Sequence, residues 1–212
     1  MRLLIVGATG GTGTALLAQA VDAGHEVTVV ARHPERLGLS GNADVTVIEG
    51  SVLEHGPWED AVTGHEILLS SLGSTDRKHP TAIYSQGTMN LLRAMGSSPT
   101  RRVICLSSGG IDPSPDLPFA QRMVTRLVIQ RMYRHGYDDM RRMETLIQAE
   151  DVRWTIIRPP MLSDGVPTGA YRTANGSRLE NPTSITRSDL ARYMLDAVPD
   201  KSTWKSIIEI SR

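Results

Sequence analysis

An α/β fold built on a doubly wound parallel sheet is what this sequence predicts, on three observations. Strand-like apolar runs alternate with amphipathic helical stretches from end to end. The first run, Leu3-Leu4-Ile5-Val6, leads into glycines at 7, 10 and 13 and then into the helical pattern opened by Ala15-Leu16-Leu17. No repeat, low-complexity tract or linker divides the 212 residues, which suits one domain over 1–212 with small loops on the substrate side.

Taken in order, the apolar runs predict strands over about 2–7, 26–31, 44–49, 66–71, 102–107, 154–158 and 206–210. Helices are expected over about 12–23, 57–63, 80–96, 118–135, 138–150 and 187–198. Gly24 stands where a helix usually stops, just past its last turn. Thr186, with Asp189 three residues on, forms a capping pair that starts the last long helix at Arg187. Two stretches break the rhythm: Ser108 to Pro118 and Arg158 to Asn181 are rich in Gly, Pro and Ser and follow predicted strands. In an open α/β sheet that rim is where ligands bind, so both are expected to wall a substrate pocket.

Composition narrows the function classes. Lys+Arg and Asp+Glu both number 23, which gives neither nucleic acid nor an anionic membrane a reason to bind. Cys105 is the lone cysteine, so a reducing cytoplasm is the expected home. The apolar run after Arg2 is too short for a signal peptide or a membrane span. The six histidines lack paired ligand spacing, and no metal is expected. Leu-Ser-Ser-Gly-Gly at 106–110 is not the Gly-x-Ser-x-Gly elbow of a serine hydrolase.

The glycines carry the chemistry. Gly7 lets the chain turn off the strand, Gly10 lets a pyrophosphate approach the backbone, and Gly13 lets helix and strand pack closely. Phosphates would then rest on the free N–H groups at the helix start. The end of the second strand distinguishes the nicotinamide cofactors, because an acid there accepts from a ribose 2′-hydroxyl whereas arginine pairs with a 2′-phosphate. Arg32 occupies that place, with Arg36 one turn later and no acid at the strand end, which favours NADP(H). Glu49-Gly50-Ser51-Val52 ends the third strand and Ser70-Ser71-Leu72-Gly73-Ser74 the fourth; small residues in both let the chain pass near a cofactor.

Gly7-Ala8-Thr9-Gly10-Gly11-Thr12-Gly13, Arg32, Leu106-Ser107-Ser108 and Arg158-Pro159-Pro160, followed by PPMLSDGVPTGAY and SITRSDLARYML, resemble the atypical short-chain dehydrogenases/reductases of the NAD(P)H-binding, NmrA-like group. Within that group the resemblance is greatest to the flavin reductase/biliverdin reductase B branch, and it covers nearly the whole chain. It implies a Rossmann-type domain with NADPH along the strand ends, and hydride transfer to a flat conjugated acceptor such as a flavin, quinone or related small molecule. It also implies that the loop from Gly7 and Thr9 to Gly13, with Gly10, Gly11 and Thr12 at its centre, holds the pyrophosphate. Arg32 and Arg36 would take the 2′-phosphate, Ser51 and Val52 the adenine, and Leu72 and Gly73 the cofactor's length. Ser107 would sit near the nicotinamide, with Pro159, Pro160 and Met161 at its carboxamide.

The sequence departs from that pattern at two places. The branch has a histidine directly after its two prolines, where this chain has Met161, and the loss of a titratable group there counts against a tetrapyrrole acceptor. The Tyr-x-x-x-Lys pair of ordinary short-chain dehydrogenases is missing; Tyr137 is followed four residues on by Arg141, which cannot relay a proton by losing its own. Tyr137 and Ser107, or its neighbour Ser108, are the candidate catalytic groups, although the Tyr-Arg spacing is better described as an amphipathic helix face. Asp112 and Asp116 read as turn residues, and Met123, Met132, Met140 and Met143 as helix packing. Two functions from different classes follow: an NADPH-dependent reductase of a small-molecule acceptor, or a non-enzymatic NADP sensor whose loops or helical region 118–150 bind a protein partner.

Overall fold

The computed structural model describes residues 1–38, 45–96, 101–112, 123 and 125–212. Its first strand, β1 (Arg2–Val6), has Leu3, Leu4, Ile5 and Val6 all fully buried. Successive strand residues point to opposite faces, so an unbroken apolar run requires a layer of helices on each side. That is what surrounds it. Leu3 and Ile5 pack with Leu16 and Leu17 of α1 (Gly11–Asp22) and with Leu190 and Met194 of α5 (Arg187–Asp196). Leu4 and Val6 face Trp58 of α2 (Trp58–Val62), Leu91 of α3 (Ser85–Ala94), and Met143 and Ile147 of α4 (Arg134–Ala149).

The remaining strands of the sheet are β2 (Glu26–Ala31), β3 (Val45–Glu49), β4 (Ile67–Ser70), β5 (Arg102–Leu106), β6 (Arg153–Arg158), β8 (Arg172–Asn175) and β10 (Ser206–Ser211). Their spatial order is β3-β2-β1-β4-β5-β6-β10-β8, parallel throughout except for β8, which runs against β10. The order reverses between β1 and β4, and in such sheets that is the place where ligands bind. A separate parallel pair joins β7 (Met161–Ser163) to β9 (Ser184–Thr186). No helix among the described residues is long and apolar enough to cross a membrane.

The expected strands fall within a residue or two of those seen. Thr186 caps α5 through its hydroxyl, which accepts from the Asp189 amide at 3.0 Å, and Gly24 follows α1 with φ +72. The helix expected over 80–96 is shorter and runs Ser85–Ala94. Two further expectations change. In the region expected as one helix over 118–135, residues 118–122 and 124 lie outside those described; the rest forms a wide turn at Thr125–Ile129 and a short helical piece at Gln130–Met132, which ends at Tyr133. The next helix then starts at Arg134 rather than 138, because Gly136 is tolerated inside it at a cost of about 1 kcal/mol. The second change is that the rim segment Arg158 to Asn181, read as irregular, contains β7 and β8, with β9 just beyond it. Each spans only three or four residues, too few for a sequence period to show.

A buried arginine secures the end of the sheet opposite the rim. Arg102, 4% exposed, donates to the carbonyls of Arg153 at 2.7 Å, Ala197 at 2.8 Å and Val198 at 3.3 Å. It also donates to the hydroxyls of Thr155 and Thr203, each at 2.8 Å. Burial brings its pKa down to about 10 but leaves it charged at neutral pH. The carbonyls at the C-terminus of α5 take up that charge as a helix dipole should.

Candidate functional site

The glycine turn is built by close backbone contact. Gly7 has φ +78, and a Cβ there would fall 2.3 Å from the Ser71 carbonyl oxygen on the chain leaving β4. A Cβ on Gly13 would fall 2.1 Å from the Gly7 oxygen, so helix and strand can approach only because that position is bare. Between them the Gly10 amide donates to the Gly7 carbonyl at 3.0 Å and closes the turn. No side chain caps α1, which leaves its first-turn N–H groups available to an anion. Thr9 is exposed and Thr12 is buried.

Arg32 and Arg36 are both exposed at the end of β2, and neither pairs with a carboxylate among the described residues. Ser51 and Val52 follow β3: the Ser51 hydroxyl accepts from the Leu53 amide at 3.3 Å, and the Val52 carbonyl accepts from Asn90 Nδ2 at 2.9 Å. Val52 and Leu72 meet over Gly87 of α3, where an added Cβ would lie 2.9 Å from Val52 Cγ2. Gly73 is exposed beside them. Loops from the ends of β1, β2, β3 and β4 thus form one continuous rim, with spare cations at one end and a bare helix start in the middle.

The two candidate serines differ. Ser107 is buried, its amide tied to the Ile157 carbonyl at 2.8 Å, and its hydroxyl finds no partner among the described residues. Ser108 is the one that faces Tyr137: its hydroxyl draws the Tyr137 pKa down against the larger effect of burial, and Ser108 Oγ accepts from the Gly110 amide at 3.1 Å. Gly110 makes room for this, since a Cβ on it would fall 2.3 Å from the Tyr137 hydroxyl. Burial raises the Tyr137 pKa above its ordinary value, against the opposing pull of Ser108 and Arg141. Arg141 itself is engaged with Asp138 at 2.9 Å and with the Ile111 carbonyl. Tyr137 stacks on Tyr133 with ring centroids 5.8 Å apart, and the Arg77 guanidinium lies 4.6 Å from the Tyr133 ring. Ser74, Tyr84 and Met140 complete a small cavity of about 50 Å³ with these rings.

On the far side of the rim, the Pro159 carbonyl accepts from the Gly109 amide at 2.8 Å, joining the exits of β5 and β6. Arg158 just before it grips Glu144 of α4 in a two-pronged ion pair, at 2.5 and 3.0 Å. Pro160 is half-buried, whereas Met161 opens β7 and is 72% exposed. Residues 113–118 of the loop expected to wall this side, Asp116 included, lie outside the described residues. Arg187 and Asp164 were not foreseen as site residues: in sequence Arg187 reads only as a helix start, yet its side chain covers Gly11.

A family model for NAD(P)H-binding proteins matches residues 7–201. The chain belongs to the NAD(P)H-binding family. It is 28% identical, over 94% of its own length and 79% of the other protein's, to the oxidoreductase ptaF of Pestalotiopsis fici. Other curated relatives match over about half of this chain and 12% to 33% of their own length. Among solved structures, a short-chain dehydrogenase/reductase of Veillonella parvula in complex with NADP superposes with a TM-score of 0.77 at 21% identity, covering 100% of this chain and 94% of that one. A candidate NADH-flavin reductase from Streptococcus pneumoniae gives 0.74 at 20% identity, covering 100% and 99%. At those identities the likeness is one of fold, and the fold is the Rossmann type.

Proposed function

We propose that this protein is an NADPH-dependent oxidoreductase that reduces a flat, conjugated small molecule such as a flavin, a quinone or a related compound. The observation that carries the reading is the Tyr137–Ser108 hydroxyl pair at the end of β5, on the rim that the glycine turn also occupies. The residues present fit the dinucleotide: a bare, uncapped helix start suits a pyrophosphate, and two unpaired arginines suit a 2′-phosphate. The loop from Gly7 and Thr9 to Gly13 would hold the first and Arg32 with Arg36 the second. Ser51 and Val52 would flank the adenine, Leu72 and Gly73 the middle of the molecule, and Ser107, Pro159, Pro160 and Met161 the nicotinamide end.

When bound, the reduced nicotinamide supplies a hydride. The chain's own groups then do the rest. Tyr137, kept as a neutral phenol, donates a proton to an acceptor oxygen, and Ser108 orients that hydroxyl. Arg141 can lend charge to a tyrosinate but no proton. Tyr133 and Arg77 offer a flat aromatic and cationic wall against which a conjugated ring can stack. The relationship to ptaF supports an oxidoreductase, and the resemblance to the flavin reductase/biliverdin reductase B branch of the NmrA-like group supports this kind of acceptor.

The alternative is a non-enzymatic NADP-sensing regulator with a protein partner. One observation favours it: Leu127, Val128 and Met132 are 60%, 55% and 44% exposed on consecutive turns. Steady-state NADPH oxidation with flavins, quinones and linear tetrapyrroles decides between them. Turnover with one of these acceptors supports the enzyme; tight NADP(H) binding with no turnover on any acceptor supports the sensor. A tenfold preference for NADH in titration would defeat the roles given to Arg32 and Arg36.

A further inference from the structure

Gly11 opens α1, and the space beside its Cα is filled by an arginine. A Cβ built on Gly11 would lie 2.6 Å from Cδ of Arg187 and 2.9 Å from its Nε. Arg187 is the first residue of α5, whose packing against α1 fixes where the side chain starts. Its Nη1 meets Asp164 Oδ1 at 2.5 Å; the arginine side chain is 30% exposed and the aspartate 85%.

This placement is electrostatically unfavourable on its own. The start of an uncapped helix carries roughly half a positive charge, and a guanidinium over it is repelled. The compensating acid sits on an exposed loop, where water screens an ion pair and leaves it little net strength. A doubly anionic group at the loop would satisfy the helix start and the guanidinium together.

We propose that Arg187 is a ligand of the cofactor's diphosphate and that Asp164 is its placeholder. Dinucleotide binding transfers the guanidinium from carboxylate to diphosphate and releases the Asp164 loop. The inference rests on the NAD(P)H reading above and adds to it a cation that comes from the far end of the sequence.

The test is an equilibrium titration of the whole protein with NADP⁺ and, separately, with adenosine 2′-monophosphate, which lacks the diphosphate. Arg187→Met keeps the aliphatic stem over Gly11 and removes the charge. It should weaken NADP⁺ binding about tenfold or more, flatten its salt dependence, and leave adenosine 2′-monophosphate unchanged. Asp164→Asn, a substitution on an exposed side chain, should tighten NADP⁺ several-fold because it removes the competitor. Arg187→Met binding within twofold of the unaltered protein overturns the proposal, and so does unchanged or weaker binding by Asp164→Asn. If the unaltered protein takes up neither NADP⁺ nor NAD⁺, the broader reading fails and this one with it. If it binds and the methionine variant binds equally well, only this one fails.

Discussion

Asp139, fully buried in α4, accepts the backbone amide of Ser85 at 3.3 Å, so the start of α3 is capped by a residue 54 positions further along. The same carboxylate takes the Tyr84 amide at 2.9 Å, the Ser85 hydroxyl, and Arg142 at 3.1 Å. Thr81 completes the cap by accepting the Ile83 amide at 3.3 Å. Replacing Asp139 with alanine strands two amides and a hydroxyl in the interior. Asp139→Ala should cost about 3 kcal/mol, seen as a lower urea midpoint with an unchanged slope.

The glycine turn makes a prediction in which position matters more than residue type. At Gly13 an added methyl would meet rigid backbone at 2.1 Å, whereas at Gly24 nothing lies within 4 Å. Gly13→Ala should therefore destabilise the fold by about 2 kcal/mol or more and abolish dinucleotide binding. Gly24→Ala should cost about 1 kcal/mol from its left-handed backbone alone and leave binding intact. Thermal melts paired with titrations separate the two.

Tyr137 tests the chemistry. With its pKa raised by burial, it remains a neutral donor throughout the physiological range, so its ionisation should impose no loss of rate there. Tyr137→Phe should lower kcat about 100-fold for quinones or other acceptors that need a proton at oxygen. Flavin reduction, in which water can protonate the product, should change little. Equal losses on both acceptor types would assign Tyr137 to structure.

Asp189 predicts a pH dependence of stability. Burial disfavours its charged form, but bonds from the Thr168 and Gly169 amides and from the Thr186 and Thr168 hydroxyls outweigh this, and its pKa is lowered. An unfolded aspartate titrates near ~3.9. The contribution is therefore complete above that value and is lost as the pH falls through the lower folded one. Asp189→Asn should be the less stable protein at pH 7, and the gap should close below about pH 4, as urea midpoints across that range would show.

Cys105 should be inert. It is fully buried in β5, and burial pushes its thiol up to about 12. A thiol reagent should find no reactive group in the native protein and one after denaturation.

The frame of this molecule was legible because it follows from local pattern. Leu3 to Val6 reads as a strand because the run is short, apolar and stopped by Gly7, and Thr186 with Asp189 reads as a capping pair at a helix start. Much of the rim was less legible. Ser108 and Tyr137 are 29 positions apart in sequence, and nothing local indicates which of two adjacent serines faces the tyrosine. Arg187 read as a helix start because its neighbour Gly11 is 176 residues away. The arginine spacing at 32 and 36 was readable because one strand end carries both. Contacts of high sequence separation escape a reading by period, and the chemistry of this rim consists largely of such contacts.

The position of β10 between β6 and β8 has a consequence for synthesis. On the ribosome the chain emerges in order, so β8 appears before β10, the one strand it pairs with among the described residues. At about 5–20 residues per second, it waits seconds with both edges bare. Arg102 waits longer, since three of its five acceptors, Ala197, Val198 and Thr203, belong to the same late stretch. The nascent protein thus carries an unpaired strand and a guanidinium short of its acceptors until residues 197–211 are made, and that interval is when a holdase would have most to protect.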